Sequence, residues 1–222
     1  MDIGVFIFDT DYSINISELA RELEERGYES LFVPEHTHIP TSRRSPFPGG
    51  GELPKQYSHT LDPFVSLGFA AASTENLKIG TGICLLPQRD PIVTAKSIAS
   101  LDLMSKGRFV LGLGGGWNVD EMENHGVTYK TRFAMMKEHV LAMKSLWVDE
   151  EAEFHGEYIN FDKSWAYPKP FQKPYPPILM GGETDYTLKR VVDYCDGWFP
   201  RGRGGFDASE SMQRLKDMAA QI

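Results

Sequence analysis

The chain has 222 residues, 41% of them hydrophobic and 24% charged, which is enough for one sizeable core and ordinary for a globular protein. Its 23 basic and 31 acidic residues leave a net charge of −8, which argues against nucleic acid or an anionic membrane as the main partner. No apolar run approaches the roughly 20 residues that cross a bilayer, and the opening MDIGVFIFDTD has no basic stretch, so it reads as a strand and not a signal peptide.

Ile3–Phe8 is a β-rich run, and Ile16, Leu19, Ala20 and Leu23 then recur at helical spacing up to Gly27. Ser30–Val33 is a second strand, followed at once by Pro34-Glu35-His36-Thr37-His38. Ile39 to Thr60 is a long irregular segment, expected to be a loop over an active site. Asp62–Ser73 is an Ala-rich apolar helix. Leu77–Cys84 and Phe109–Leu113 are apolar strands around a helix that Asp90 caps, Pro91 opens and Gly107 ends. Val93, Ile98, Ala99, Leu101 and Leu103 are expected on its buried face. This is a βαβ unit of a parallel sheet covered on both sides.

A long helix follows over Phe133–Trp147, with Met136, Val140, Met143 and Trp147 on one face for packing or a dimer contact. Glu153–Phe161 alternates like a small hairpin, and prolines punctuate Pro168–Pro177. Ile178–Met180 is a fifth main strand, a helix carries Leu188, Val191 and Val192, and Gly197–Pro200 is a sixth strand. Asp207 and Glu210 could form a capping box for a last helix. Six strand–helix units fit an open doubly wound sheet or most of a (β/α)8 barrel. The barrel is favoured, because polar, glycine-rich sequence follows nearly every strand and not one switch point. Such a barrel typically needs ~250 residues, so the last two βα units are expected to be lacking from this chain, through truncation or a disordered tail.

Chemistry-bearing residues cluster after the strands. Glu35 and His36 leave the second strand directly, which aims them at a barrel mouth; a histidine there can move a proton near neutrality or simply cap a loop. His36-x-His38 has metal-ligand spacing, but His59, His125, His139 and His155 lie away from other strand ends, so no metal site is expected. Thr81-Gly82-Ile83-Cys84 closes the third strand; Cys84 reads as a packing residue. Gly114-Gly115-Gly116 removes side chains where a ligand could approach the backbone, or makes a turn. Gly181-Gly182-Glu183-Thr184 opens a helix whose free N–H groups could bind phosphate, or is a plain connector. Arg201 and Arg203, like Arg43 and Arg44, could meet an anion or water. Cys84 and Cys195 form no CxxC pair, so a reducing, cytoplasmic setting is expected.

The blocks GTGICLLPQRDPIVTAKSIASLD, GRFVLGLGGGWNVDEMENHG, PKPFQKPYPPILMGG and DGWFP, in this order, resemble the bacterial luciferase-like monooxygenase superfamily. VPEHTHIP and GGGELP resemble its branch that uses the deazaflavin coenzyme F420. The resemblance implies a single TIM-barrel domain over 1–222, with a long loop at 37–60 and an insertion at about 118–176, usually a homodimer acting on a small molecule. It implies Glu35 at the pyrimidine edge of the cofactor, His36 as the catalytic proton donor or anion stabiliser, and a cis bulge at Thr81, Gly82, Ile83 and Cys84 behind the central ring. Gly115 and Gly116, with Asp120 nearby, fall to the ribityl and phosphate side, and Gly181, Gly182 and Thr184 to the phosphate. Some F420-dependent sugar-phosphate dehydrogenases carry a catalytic glutamate where this chain has Trp117, which with Arg201 is assigned to the substrate; Glu121 is expected to be structural. The implied activity is hydride transfer between F420 and a small organic molecule. The alternatives are an FMN-dependent monooxygenase and a cofactor-binding paralogue without catalysis.

Overall fold

A computed structural model describes residues 2–201 and 208–221. Its centre is a parallel six-stranded sheet built from β1 (Gly4–Phe6), β2 (Ser30–Val33), β3 (Lys78–Thr81), β4 (Phe109–Leu113), β7 (Ile178–Gly181) and β8 (Gly197–Phe199), hydrogen-bonded in chain order. Between β4 and β7 the chain makes an excursion that carries an antiparallel hairpin, β5 (Ala152–His155) with β6 (Asn160–Ser164). The parallel order follows from helical crossovers of one hand. These are α1 (Ile16–Glu25), α2 (Pro63–Ala72), α3 (Pro91–Met104), α5 (Arg132–Val148) and α6 (Asp185–Tyr194), with a short α4 (Val119–Asn124) before α5 and α7 (Ala208–Ala219) at the end.

The sheet curls. Phe32 on β2 and Phe199 on β8 bring their rings to 5.1 Å although three strands separate them. That curvature, with helices outside, is the half-barrel of a TIM-type fold in which two strand edges, β1 and β8, are left without a partner among the described residues. The core is continuous across both layers: Leu31, Val33, Ile79, Phe109, Leu111, Leu113, Ile178 and Met180 of the strands are buried. They pack with Leu67, Ile98, Met136, Val140, Met143 and Trp147 of the helices. The apolar stripe of α5 is therefore core packing.

Local chemistry sets the boundaries. The Asp62 carboxylate accepts from the N–H groups of Phe64 and Val65 to start α2, and Asp90 accepts from Val93 N–H to start α3, each with proline next in line. Gly107 takes φ +82° and returns its N–H to the Asp102 carbonyl at 2.8 Å, closing α3 as its position suggests. The α3 face differs from the sequence expectation: Ile98, Ala99 and Leu101 are buried, whereas Val93 is 64% exposed and Leu103 43%. Over the expected run Leu77–Cys84 the strand itself covers Lys78–Thr81; the Gly82–Ile83 peptide is cis, and Cys84 forms an isolated bridge to Leu113. The hairpin reaches Ser164, beyond Phe161. Asp207, expected in a capping box, lies outside the described residues, and no helix among those described is long and apolar enough to cross a membrane.

Candidate active site at the carboxyl ends of the strands

The residues that the sequence singles out lie where β2, β3, β4, β7 and β8 end, the face of a parallel barrel that carries chemistry. His36, in the loop after β2, is 9% exposed. Its Nδ1 lies 2.8 Å from Glu121 Oε2, and the other Glu121 oxygen accepts from Thr37 N–H at 3.2 Å. Glu121 has no exposure to solvent. A carboxylate at Nδ1 assigns the neutral imidazole its proton there and leaves Nε2 as the basic nitrogen. Around the imidazole stands an aromatic wall. Tyr57 lies 5.3 Å and Trp117 5.9 Å from its ring, Phe47 packs on both, and Phe8 packs on Tyr57 at 4.8 Å. Phe47 and Tyr57 come from the long loop, which Asp120 anchors.

Glu35 is 3% exposed and both its oxygens are engaged: Leu85 N–H donates at 2.7 Å and Arg89 Nε at 2.5 Å. Arg89 continues to Asp62 at 2.7 Å. Burial opposes the Arg89 charge, but the two carboxylates prevail and raise its pKa. Glu35 thus clamps the β2 loop to the turn after β3. Burial, reinforced by the Glu35 charge, pushes the Cys84 thiol well up, which makes it a packing group and not a nucleophile. Asp120, expected beside the ribityl chain, anchors the long loop. The Ser42 hydroxyl, Arg44 N–H and Ser45 hydroxyl donate to it and Arg44 Nε pairs with it. The Ser42 hydrogen bond, against the opposing effect of desolvation and with help from Arg44, holds this carboxyl below its ordinary value.

The glycines are explained by what fills their missing side chains. Thr81 donates through its hydroxyl to the Gly112 carbonyl, and the Ile83 side chain after the cis peptide lies in the space beside Gly114 and Gly181. A Cβ at Gly114 would sit 2.1 Å from Ile83 Cδ1. A Cβ at Gly115 would meet the Phe133 ring at 2.7 Å, and Gly116, at φ +71°, lies against Met122 and Gln88. Gly182, at φ +123°, makes room for the Thr187 hydroxyl, while Thr184 caps α6 by accepting from Thr187 N–H. Arg201 donates to both oxygens of Glu183; Arg203 lies outside the described residues. His38 bonds Thr37 and Asn124, and among the described residues no cluster of three or more His, Cys, Asp or Glu could hold a metal.

Three features were not legible in the sequence. Glu121 follows Asn118 by three positions, and this cap-and-carboxylate spacing was available, but its side chain turns to His36 instead of back to the cap. Tyr57 and Phe47 belong to a loop without periodicity. Gln88 and Asn118 are 8% and 1% exposed, yet both Gln88 amide atoms and Asn118 Nδ2 have no protein partner. A buried unpaired amide is costly. Set beside Gly116, these atoms fit a ligand that is planar and polar-edged or carries hydroxyls, as a flavin or deazaflavin does.

The whole chain, residues 1–222, matches the family model of the luciferase-like monooxygenases. An uncharacterized protein of Mycobacterium tuberculosis is 42% identical over 224 residues, covering 99% of this chain and 79% of that protein. The F420-dependent glucose-6-phosphate dehydrogenase of Kineococcus radiotolerans is 29% identical over 200 residues, 86% of this chain and 53% of that enzyme. The oxygenating constituent of 3,6-diketocamphane monooxygenase from Pseudomonas putida, solved with FMN, superposes with a TM-score of 0.74 at 18% identity, over all of this chain and 61% of that one. The chain spans 61–65% of the length of the solved structures it matches.

Proposed function

Because this chain belongs to the luciferase-like monooxygenase family, we propose that it is an F420-dependent oxidoreductase that exchanges a hydride between the deazaflavin and a small, uncharged organic substrate. The observation that carries the reading is the Glu121–His36 pair set against Tyr57 and Trp117 at the carboxyl ends of the strands. The deazaflavin, when bound, supplies or accepts a hydride at its central ring carbon. Gln88, Asn118 and the backbone of Gly115 and Gly116 would hold its polar edge and side chain, with Gly181, Gly182 and Thr184 toward the phosphate. Glu35, with Arg89, fixes the loop that carries His36. Nε2 of His36 holds or gives up the proton that accompanies hydride transfer, and Glu121 keeps that nitrogen available. The aromatic wall excludes water and favours an apolar substrate. Arg201, paired with Glu183, guards the rim on the substrate side.

Trp117 stands where a base would abstract a hydroxyl proton, which leaves the His36 imidazole, set against the aromatic wall, to handle the proton. Reduction of a carbonyl or activated alkene needs no second base, and this is the favoured direction. Mixing the protein anaerobically with reduced F420 and a panel of ketones, enones and nitro compounds tests it. Turnover that falls about 10²-fold or more in His36→Gln is the expected result; F420 binding without turnover across the panel would make the protein a non-catalytic relative. The FMN-bound neighbour favours one second reading, an oxygen-dependent monooxygenase on the same scaffold. We further propose a cytoplasmic homodimer through α2 and α3, whose Phe69, Val93 and Met104 are 63%, 64% and 82% exposed; a monomer by sedimentation equilibrium at micromolar concentration would contradict it.

A further inference from the structure

Behind the mouth, one buried histidine makes contacts that a neutral imidazole cannot satisfy. His139, near the middle of α5, has no exposure to solvent. Its Nδ1 lies 2.8 Å from the Met135 carbonyl, one turn back on its own helix, and its Nε2 lies 3.0 Å from the Arg89 carbonyl. Carbonyl oxygens only accept. A neutral imidazole has one N–H and one lone pair, so either tautomer donates to one carbonyl and turns a lone pair on the other. Only the imidazolium donates to both. A buried cation is tolerated where it is hydrogen-bonded and balanced. Glu138 stands next to it in the chain; burial opposes that carboxylate's charge, while three backbone N–H groups and His139 favour it. Across the contact the Arg89 guanidinium is itself neutralised by Glu35 and Asp62. Charged groups on the other elements around α5 are engaged: Lys96 and Asp102 of α3 with Tyr167 and Gln172, Asp193 and Arg190 of α6 with Lys137 and Phe133, and Glu153 of β5 with His155.

The carbonyl that Nε2 meets ends the turn Leu85–Arg89, and this turn serves the mouth. Leu85 N–H and Arg89 Nε hold the two oxygens of Glu35, the residue before His36, and Gln88 carries the buried amide atoms that have no protein partner. Inside the turn, Gln88 N–H donates to the Leu85 carbonyl at 2.9 Å and Arg89 N–H to the Leu86 carbonyl at 3.1 Å. His139 ties that small unit to α5 from the helix side. We propose that His139 is a positioning residue: as the imidazolium it latches the Leu85–Arg89 turn to α5, and as the neutral ring it gives up one of its two contacts, so that a single proton sets how firmly Gln88 and Glu35 are held. Histidine is the side chain that takes up and releases a proton in the physiological range, so the latch closes toward acid and loosens toward alkali. The latch itself rests on the two hydrogen bonds; its effect on the cofactor rests on the proposed function.

Nitrogen-15 NMR of the full, unmodified chain, followed from about pH 5 to about pH 9, tests the latch without any variant. Both ring nitrogens of His139 are expected to carry protons at the acid end. The backbone amides of Leu86, Gln88 and Arg89 are expected to shift together with the ring as it loses one of them. In His139→Gln that joint titration should vanish while the His36 ring still titrates, with unchanged amide signals from β7 and β8 as the folding control. A His139 ring that does not change protonation over this range, or a turn that does not follow it, would overturn the latch. At the acid end, F420 should bind about tenfold more weakly to His139→Leu, which keeps neither donor, and His139→Gln, which keeps one, should fall between. Equal F420 affinity in all three chains would overturn the effect on the cofactor. A turn that follows the ring in a chain that takes up neither F420 nor FMN would refute the proposed function and leave the latch standing.

Discussion

Glu121 takes Nδ1 of His36, and this one hydrogen bond decides which imidazole nitrogen is available for chemistry. Glu121→Gln keeps the shape of the side chain and removes its charge. Its amide can still accept from Nδ1, but the charge-assisted hydrogen bond that orients the imidazole is lost, so turnover should fall about 10–100-fold. Unchanged turnover would assign Glu121 to loop anchoring alone. Neither this pairing nor the aromatic wall could be read from the residues, because His36 and Glu121 lie 85 positions apart and the wall gathers Phe8, Phe47, Tyr57 and Trp117 from separate segments. Position 36 was legible, since a histidine directly after a strand has a fixed direction. A second carboxylate shows the same logic in a structural role. Burial opposes the charge of Glu138, but N–H groups of Tyr158, Glu157 and Ile159 hold its pKa below the ordinary value. A depressed folded pKa gives stability that is present above the unfolded value and lost as pH falls through the folded one. Discounted for solvent screening, Glu138→Gln should therefore cost about 1 kcal/mol or less near neutrality and progressively less in acid, as measured by urea unfolding at several pH values; an equal cost at pH 7 and pH 3 would contradict it.

At the scale of elements, the strand ends are locked by a side chain and not by a turn. Ile83 fills space beside Gly114 and Gly181, which draws the ends of β3, β4 and β7 together. Gly114→Ala places a methyl against Ile83 Cδ1 and should destabilise the fold by about 1–3 kcal/mol. Ile83→Val in the same chain should restore part of that loss, a coupling that denaturant unfolding of the four-member cycle measures. Additive effects would mean that the two do not meet. The glycine triplet was visible in the sequence as a place without side chains. What occupies that place was not, because Ile83 and Phe133 reach it only after the sheet has curled. The helices were legible from caps and proline, as at Asp62 and Asp90, whereas α4, only six residues long, lay in a polar stretch with too few apolar positions to show a period.

For the whole molecule, the parallel order of the sheet followed from apolar runs separated by helical segments, and the family blocks agreed with it. The curl required strands to be placed in three dimensions, and it is this curl that brings the ends of β2, β3, β4, β7 and β8 around one mouth. Clamps at that mouth are ionic, Glu35 with Arg89 and Asp120 with Arg44, while its wall is aromatic. Which planar cofactor the mouth accepts is therefore the decisive property. Titration of the ligand-free chain with F420, and separately with FMN, read by quenching of tryptophan fluorescence, measures it directly because Trp117 lines the mouth. The expected result is saturable quenching by F420, tighter than by FMN, and weakened in Trp117→Phe or Gln88→Leu. Binding of FMN alone, or of neither, would contradict it.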